Sequence, residues 1–459
     1  MLEADIPSCV SPDILTRQIR SSICSLPCCR SANWPLRAPG NSFNLLTESN
    51  LSVSRLSSSL VRRLEEFDSL DRRDVVSNVS NGCAPLFLAC KNGSAEVVEY
   101  LISKCNAPIE QPGLFEVEEE GVRHSVTPLW CAAVSGRLAV VRVLLRHGAD
   151  VNAVSDSGST SVRSVCYIVR PGLETCHLAI IRALVTAGAN IHLSNHFGGT
   201  CLINSVQSAE LVKYLIRHGA DVNAEDVQHK TALHYAIQEH RLDTAKLLIE
   251  NGADLLKKSK YGDDALQTAS VKGALSIFNY LIDVTDYPLN RICDSFDLMG
   301  ASFLLETQDI SSALFFWRKS LELRTGTAGG LIRKQILGPH HVLGVQEFQT
   351  EEELEELLYD MNGMRLQALV VTERVLGCLH KDTIFRYMYA GAAHADMSEY
   401  KECIKLWNYA LSLKIMKETL VSSDTSFTVR AVIQLYMNIL LREPSKDELH
   451  FQDVLTTTR

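Results

Sequence analysis

The chain has 459 residues, of which 46% are hydrophobic and 22% charged, as in folded proteins with room for two or three domains. Its net charge of −9 at pH 7 argues against nucleic-acid binding as the main function and allows partners that are basic, including basic peptide tails. The 14 cysteines lack a disulfide-framework spacing, which predicts reduced thiols in a cytoplasmic or nuclear protein. No apolar run of about 18 residues and no signal-peptide pattern is found, so neither a membrane span nor secretion is expected.

Residues 1–41 are rich in Ser, Cys, Pro and Arg and lack helical periodicity, so we predict a disordered N-terminal tail. Cys24, Cys28 and Cys29 lie close together there. Without paired CxxC knuckles or a nearby His they do not predict a zinc site. We expect no metal and no other cofactor in this protein.

A short phrase recurs in the middle of the chain. It reads HGAD at 147–150, AGAN at 187–190, HGAD at 218–221 and NGAD at 251–254, each time after an apolar helical stretch. The glycines are 40, 31 and 33 residues apart, close to the period of ankyrin repeats. The Gly is predicted to allow the left-handed turn that ends the second helix of each repeat. Stacked ankyrin repeats present a concave binding surface, which favours recognition over catalysis.

Residues 42–291 are predicted to form about seven such repeats, the first of them degenerate and covering 43–79. Each later repeat has a short opening, and where the opening begins with Thr we expect that residue to cap the first helix. These openings are Ala84-Pro85-Leu86, Thr127-Pro128-Leu129, Thr160, Thr200, Thr231 and Asp264. A long acidic loop is predicted at 107–126, and an insertion from Val169 to Thr175 accounts for the 40-residue interval.

The pattern changes after Leu289. Residues 295–324 and 364–415 each predict paired helices. In the second region the small residues Gly391, Ala392 and Ala395, with Tyr400, Trp407 and Ala410, fit tetratricopeptide-type packing. A Gly-rich loop at 325–350 and an acidic helix, EEELEELL, separate the two. We therefore predict an all-α fold, with an ankyrin solenoid at 42–291 and tetratricopeptide-like helical repeats at 292–418. A C-terminal helix and a frayed tail are expected at 419–459.

The order of these parts resembles the Fem family, the feminization-1 homologues, over about 43–415. PLW after an acidic loop contributes to the resemblance, but motifs in the second half are more diagnostic: LMGASF followed by ALFFWRKSLELR, then MRLQALVVTERVLG, then YKECIKLWNYAL. The resemblance implies a substrate-recognition subunit of a cullin-2 RING ubiquitin ligase. Such a subunit binds C-terminal degrons, often ending in Arg, in a groove of the ankyrin stack.

The same resemblance implies elongin B/C and cullin-2 as partners. In the family a terminal segment docks them, and we do not recognise it in 416–459. The expectation is either a shortened product or lost docking. The resemblance thus supports substrate recognition more strongly than ligase assembly.

The resemblance also assigns residues of the groove. Arg163 matches an Arg suited to the peptide's terminal carboxylate, and Trp130 and Tyr167 match aromatic residues beside it. In the family, the loop before PLW gives an acidic residue to the degron's Arg. Here Glu119 or Glu120 falls nearest to that position.

A second acidic residue of the family, placed just after the aromatic one, is replaced by Ile168. Glu174, inside the insertion, is the candidate substitute. This departure puts the preference for Arg-ending peptides in question.

Repeat geometry supports the same grouping. Trp130 and Arg163 occupy equivalent slots 33 residues apart, and stacked helices lie roughly 8–10 Å apart, so the two side chains are expected to be neighbours. Tyr167 lies one helical turn beyond Arg163, and an Arg can hold a carboxylate in a two-bond fork.

Structural roles stay open beside these functional ones. Trp130 fits a core position, Tyr167 fits packing, and the run of glutamates fits a solvated loop. Arg163 could form an ion pair with Asp156 or with Glu174.

Catalytic motifs are absent from the sequence: it contains no GxSxG, HExxH or P-loop pattern and no set of kinase motifs. We expect a non-catalytic protein whose ligase chemistry comes from its partners. Two alternatives remain. One is a scaffold or adaptor without a ubiquitin role, and the other a receptor-like decoy that binds degrons but does not dock the ligase.

Overall fold

The computed structural model describes residues 56, 58–117, 122–169, 174–326, 332–335 and 340–417, with the short stretches 429–430 and 433–434. The tail predicted at 1–41 lies outside the described residues, as does nearly all of 419–459. The chain forms two compact units, with the boundary between Asp382 and Thr383. In the described part of the chain no helix is both long and apolar enough to cross a membrane.

Seven antiparallel helix pairs form the first part of the larger unit, in agreement with the predicted ankyrin repeats. The helices are α1 (Ser58–Glu65), α2 (Ser69–Ser77), α3 (Pro85–Asn92), α4 (Ala95–Ser103), α5 (Pro128–Val134), α6 (Leu138–Arg146), α7 (Ser161–Ile168), α8 (Glu174–Thr186), α9 (Cys201–Asn204), α10 (Ala209–Arg217), α11 (Ala232–Gln238), α12 (Leu242–Glu250), α13 (Ala265–Val271) and α14 (Leu275–Val284). Aliphatic side chains of successive pairs share one continuous core along the stack.

The predicted Thr caps are confirmed at three openings and the predicted glycine turns at all four phrases, whereas Ala84 makes no side-chain cap. The hydroxyls of Thr127, Thr160 and Thr200 each accept a hydrogen bond from the backbone N–H three residues on, at 3.2–3.4 Å. The glycine of each GAD or GAN phrase has a φ of 83–93°, which only glycine adopts without strain. These glycines are Gly148, Gly188, Gly219 and Gly252.

The loops between repeats are joined into a ladder by backbone hydrogen bonds of 2.7–3.3 Å. Each bond runs from an N–H of one loop to a carbonyl of the loop before it. The bonds are Asp156 to Ser125, His196 to Ser157, Val227 to Phe197, and Lys260 to Gln228. The ladder fixes the spacing of the loops and hence of the helices that follow them.

A β-hairpin occupies the segment predicted as a plain loop at 107–126. Strand β1 (Gly113–Val117) pairs antiparallel with β2 (Val122–Val126). Its base packs on the second repeat, where Gly113 touches the ring of Phe87, and on the third, where Phe115 lies 5.4 Å edge-to-face from Trp130. The other secondary-structure elements of the described residues are helices, so the hairpin is a local addition to an all-α solenoid.

Four further helices complete the larger unit: α15 (Leu289–Ser302), which runs into a π-helical turn (Phe303–Thr307), then α16 (Ile310–Thr325), α17 (Glu351–Leu357) and α18 (Met361–Leu376). Phe296 of α15 packs edge-to-face on Phe278 of α14, with 5.2 Å between ring centres. Phe316 of α16 stacks on Phe296 and on Phe303. The ankyrin core therefore continues into this helical region.

Six charged side chains form a network inside that region. Fully buried Asp297 accepts from Arg324 at 3.0 Å and from Arg374 at 2.7 Å. Burial raises the pKa of Asp297, but Lys334, Arg374 and Arg324 outweigh this and hold the pKa below its usual value. Three acids face three bases, so the network is balanced in charge. Its members are Asp294, Asp297, Glu347, Arg324, Lys334 and Arg374.

Helices α19 (Lys381–Asp396) and α20 (Tyr400–Lys417) account for nearly all of the described part of the smaller unit. Gly391 of α19 lies against the indole of Trp407, as Gly300 of α15 lies against Trp317 in the larger unit. Each indole N–H donates to the carbonyl three residues before its glycine, at 2.8 Å and 3.0 Å. One packing arrangement thus occurs twice, and the helix pairs predicted at 295–324 and 364–415 are confirmed as helices.

Candidate functional site

Arg163 lies in the first turn of α7, which Thr160 caps. Its Nε donates to the carbonyl of Gly199 at 2.7 Å, and its Nη1 donates to the hydroxyl of Ser159 at 2.7 Å. These two bonds hold the guanidinium between the loops of the fourth and fifth repeats. Among the described residues, none accepts a hydrogen bond from Nη2 of Arg163.

The charge of Arg163 has no carboxylate partner among the described residues. Asp156, one of the two partners considered for it, instead pairs with His124 at 3.1 Å. The two loops that flank Arg163 carry neutral Ser155 and Asn195 at the position where the sixth repeat has an acid, Asp226. The site is therefore a cation held by neutral groups.

Burial lowers the pKa of the Arg163 guanidinium from its usual value. This is the direction expected for a cation that is partly removed from water without a nearby anion. The group still remains protonated at any physiological pH. A bound carboxylate would oppose the effect, because an opposite charge favours the protonated form.

Trp130 is only 7% exposed, so it is a core residue, which was the structural alternative to a role in peptide binding. Its indole N–H donates to the hydroxyl of Ser164 at 2.9 Å, and its ring packs on Phe115 of the hairpin. Trp130 and Arg163 thus lie on the first helices of adjacent repeats, but the hydrogen bond of Trp130 goes to Ser164 and not to the Arg163 side chain. Trp130 therefore helps to position helix α7.

Tyr167 lies one turn beyond Arg163 and is 63% exposed. The packing alternative for Tyr167 is wrong, because most of its ring faces solvent. Ile168, which replaces the family acid, is half-buried at the end of α7. The surface beside Arg163 is therefore aromatic and aliphatic rather than acidic.

The acidic residues predicted for this site fall outside the described residues. Glu119 and Glu120 follow β1 in the sequence and are not described, and Glu174 is the first residue of α8, with its side chain not described. The neighbouring Glu116 is described, and it forms a solvent-exposed pair with Arg123 at 3.1 Å.

Sequence reasoning missed Ser159, Gly199 and Ser164, which position Arg163 and Trp130. Ser159 and Gly199 each stand directly before an opening Thr, where small residues are also expected for turn geometry alone. No signal in the sequence separates that role from holding an arginine.

One described group of acids and a histidine has the spacing of metal ligands: Asp263, His380 and Asp382. His380 Nε2 lies 2.8 Å from Asp263 Oδ1, and the N–H of Asp382 donates to His380 Nδ1 at 3.2 Å. Burial raises the pKa of Asp263, but its bond to His380 and the nearby lysines lower it overall. The cluster joins the loop before α13 to the segment before α19, with lysines beside it, and we assign it a structural contact.

Comparison with known proteins agrees with this fold. A family model described as ankyrin repeats, in three copies, matches residues 53–155 and 173–259. The chain is 30% identical to the mouse protein fem-1 homolog A-like over 422 residues, which cover 83% of this chain and 63% of that protein.

Two further relatives show the same extent of similarity. The Drosophila melanogaster protein fem-1 homolog CG6966 is 34% identical over 372 residues, 81% of this chain and 54% of the relative. Human protein fem-1 homolog A is 30% identical over 449 residues, 85% of this chain and 65% of the relative. The chain spans between half and two thirds of the length of these curated relatives. Its repeats and this similarity show that it belongs to the family of fem-1 homologues.

Proposed function

We propose that this chain is the substrate-recognition subunit of a cullin-2 RING ubiquitin ligase, and that it binds the free C-termini of target proteins at Arg163. The observation that carries the proposal is the half-buried guanidinium of Arg163, which two neutral acceptors orient and which no described carboxylate neutralises. A peptide carboxylate supplies the missing negative charge. An Arg–carboxylate pair can form two parallel bonds, which gives direction as well as affinity.

The surroundings of Arg163 suggest how the last residues of a peptide are read. Tyr167 offers an exposed ring on which a terminal side chain can pack. Ile168 offers aliphatic surface where the family has an acid. We infer that an apolar terminal residue is accepted here and that Arg at the end is not required.

The wider role rests on the family resemblance. Elongin B/C and cullin-2 are the proposed partners, and they would supply the ubiquitin-transfer chemistry, so the chain itself is proposed to be non-catalytic. We place this activity in the cytoplasm and nucleus.

Peptide binding measured by fluorescence polarisation tests the recognition step. Short peptides ending in Arg, Leu or Gly are prepared with free and with amidated C-termini. Binding that requires the free carboxylate supports the proposal, and the ranking of end residues shows what Ile168 has changed. Equal affinity for free and amidated peptides would reject it and leave an ankyrin scaffold.

Arg163→Ala should weaken binding of a free C-terminus by roughly 1.5–3 kcal/mol, because a charged hydrogen bond is lost. Amidation should then cause no further loss in this variant, since the two changes remove the same interaction. Arg142→Ala, at an exposed position of α6, is the matched control. If Arg163→Ala lowers the melting temperature but keeps full affinity in the folded fraction, the role of Arg163 is structural.

Ligase assembly needs a separate test. Co-purification of the tagged chain with elongin B/C and cullin-2 from cells supports the receptor role. Peptide binding without this co-purification would identify a decoy. Absence of both would leave the scaffold or adaptor alternative.

A further inference from the structure

An open groove lies on the helical region of the larger unit, away from the ankyrin repeats. Its volume is about 1060 Å³, and α16 lines one side while residues 349–352, at the start of α17, line the other. Phe315 is 62% exposed at this groove, next to half-buried Leu314. A volume of this size accommodates several residues of a peptide.

Phe315 lies at the edge of the packed face of α16. The buried face carries Phe316, Trp317 and Leu321, and Phe315 packs edge-to-face on Phe316 with 5.2 Å between ring centres but leaves most of its surface exposed to solvent. A large exposed aromatic ring in a concave surface is typical of an interaction site, because its burial by a partner gains apolar contact at little entropic cost.

Three glutamates line the groove, Glu322, Glu351 and Glu352, and helix α17 continues from it with further acidic residues. Leu354 is fully buried and anchors α17, so the glutamates around it face solvent. They are Glu352, Glu353, Glu355 and Glu356, all exposed.

The cations lining the groove are already paired within the protein. Arg318 bonds to Glu351 at 2.5 Å and lies 3.9 Å from Glu355, and Lys319 bonds to Glu322 at 3.0 Å. Arg318 and Lys319 supply two positive charges against six glutamates, so a net charge of −4 remains over these eight side chains. The glutamates are Glu322, Glu351, Glu352, Glu353, Glu355 and Glu356. The surface therefore complements positive charge around an apolar centre.

We propose that this groove docks a basic segment of a partner protein, with one bulky apolar side chain against Phe315 and Leu314 and with Lys or Arg facing the glutamates of α17. Helix-in-groove recognition has these features, an apolar anchor at the centre and charges at the edge. The proposal is independent of the carboxylate site, because the two surfaces use different helices and different ligand chemistry.

The test uses the full chain and a capped helical peptide of leucine and lysine, about 15 residues long. The peptide is acetylated and amidated, so it offers no carboxylate to Arg163. Its affinity is measured by fluorescence anisotropy at low salt, and hydrogen exchange locates its footprint. A peptide with glutamate in place of lysine is the charge control.

The expected result is protection of α16 and α17 with binding at least tenfold weaker for Phe315→Ser. Neutralising the rim with Glu352→Gln, Glu353→Gln and Glu356→Gln should weaken binding by a similar factor and reduce its salt dependence. Phe197→Ser on a repeat loop and Asp243→Asn with Glu250→Asn on α12 are matched controls at exposed positions, and they should leave the affinity unchanged.

Three outcomes would overturn the proposal. The first is no binding up to about 1 mM peptide at low salt. The second is equal loss of affinity in the site variants and the matched controls. The third is a hydrogen-exchange footprint on the ankyrin repeats instead of on α16 and α17.

Discussion

At the scale of single residues, the position of Arg163 depends on the absence of a side chain at Gly199. A Cβ at Gly199 would lie 2.8 Å from Arg163 Nη2, closer than carbon and nitrogen atoms pack. The glycine carbonyl also accepts from Arg163 Nε. One residue thus provides both the space and one of the two bonds that orient the guanidinium.

Gly199→Ala should therefore displace Arg163 and weaken binding of free C-termini by about three- to tenfold. The backbone of Gly199 does not have a positive φ, so the variant should fold normally. Measuring the same change in the Arg163→Ala background supplies the control. If Gly199→Ala still lowers affinity there, its effect does not pass through the arginine.

A second cation, Lys230, is buried in the loop before α11. It is 7% exposed, its ammonium lies 5.3 Å from the ring of Tyr235, and it reaches Gln238 Oε1 at 3.5 Å. Burial, together with repulsion from Lys381, lowers the pKa of Lys230 to about 8. Its charged form thus opposes folding at neutral pH.

The sign of the pH effect follows from that shift. The unfolded chain keeps this proton up to a pKa near 10.4, so stability should increase between about pH 8 and pH 10, by at most about 3 kcal/mol. Lys230→Met should stabilise the protein at pH 7, and this gain should shrink at pH 9.5. Urea unfolding of both forms at the two pH values measures it.

Other groups titrate in the same range, but they are common to both proteins and cancel in the difference. Lys213→Met, at an exposed position of α10, measures what the same replacement does at the surface. If Lys230→Met increases the free energy of unfolding by the same amount at pH 7 and pH 9.5, then burial of the charged ammonium does not destabilise the protein.

At the scale of secondary-structure elements, the β-hairpin holds the second, third and fourth repeats together on the side of Arg163. Its first strand is bonded to the start of the second repeat, because the N–H of Leu114 donates to the carbonyl of Gly82 at 3.1 Å. Its second strand meets the fourth repeat through Asp156, which accepts from Ser125 N–H at 3.2 Å. The hairpin is thus part of the frame of the candidate site.

Gly113→Ala should loosen this hairpin, because the added Cβ would lie 2.5 Å from the ring of Phe87. Overpacking of this kind costs typically 1–3 kcal/mol. We expect faster hydrogen exchange in β1 and β2 and a lower melting temperature. Adding Phe87→Leu to Gly113→Ala should partly restore stability, because the smaller side chain makes room for the added Cβ. Failure of this rescue would place the strain elsewhere.

The repeat helices could be predicted from sequence because the GAD phrase, the opening Thr and the helical apolar spacing all indicate the same boundaries. The hairpin could not. Its segment alternates apolar and polar residues, as in GLFEV and VRHSV, but each run is only five residues long. The acidic stretch between them also fits a solvated loop, so the local sequence pattern does not distinguish a hairpin from a loop.

The sequence predicted where the residues of the candidate site lie within the repeats, but not which contacts they make. Repeat spacing places Trp130 and Arg163 in adjacent first helices, as the structure has them. Sequence does not tell which aromatic side chain is buried, because the hairpin covers Trp130 and leaves Tyr167 exposed. Solvent exposure depends here on a long-range contact that periodicity does not contain.

Two motifs that carry the family resemblance have a physical explanation in the helical region. Arg324 ends ALFFWRKSLELR, Arg374 lies in TERVLG, and both bind the buried carboxylate of Asp297. Trp317 of the first motif donates to a carbonyl of α15. These residues fix the packing of α15, α16 and α18, which explains why the motifs specify architecture rather than a ligand.

At the scale of the whole molecule, stability of the larger unit should depend on contacts between neighbours. Each repeat buries its apolar face only against the repeats beside it, and the last repeat buries its own against α15. In such an array, free energies are close to a sum of local and nearest-neighbour contributions. Damage at one end should then leave a distant site in place.

Leu281→Ala tests this property. Leu281 is fully buried in α14 of the seventh repeat, and its truncation should cost about 2–5 kcal/mol. We expect faster hydrogen exchange in α12 to α15, with peptide affinity at Arg163, three repeats away, unchanged. Ile181→Ala in α8, an equally buried position in the repeat of Arg163, should instead lower that affinity. Equal loss of binding in both variants would mean that the solenoid opens as a single cooperative unit, and the independence of its two ends would have to be abandoned.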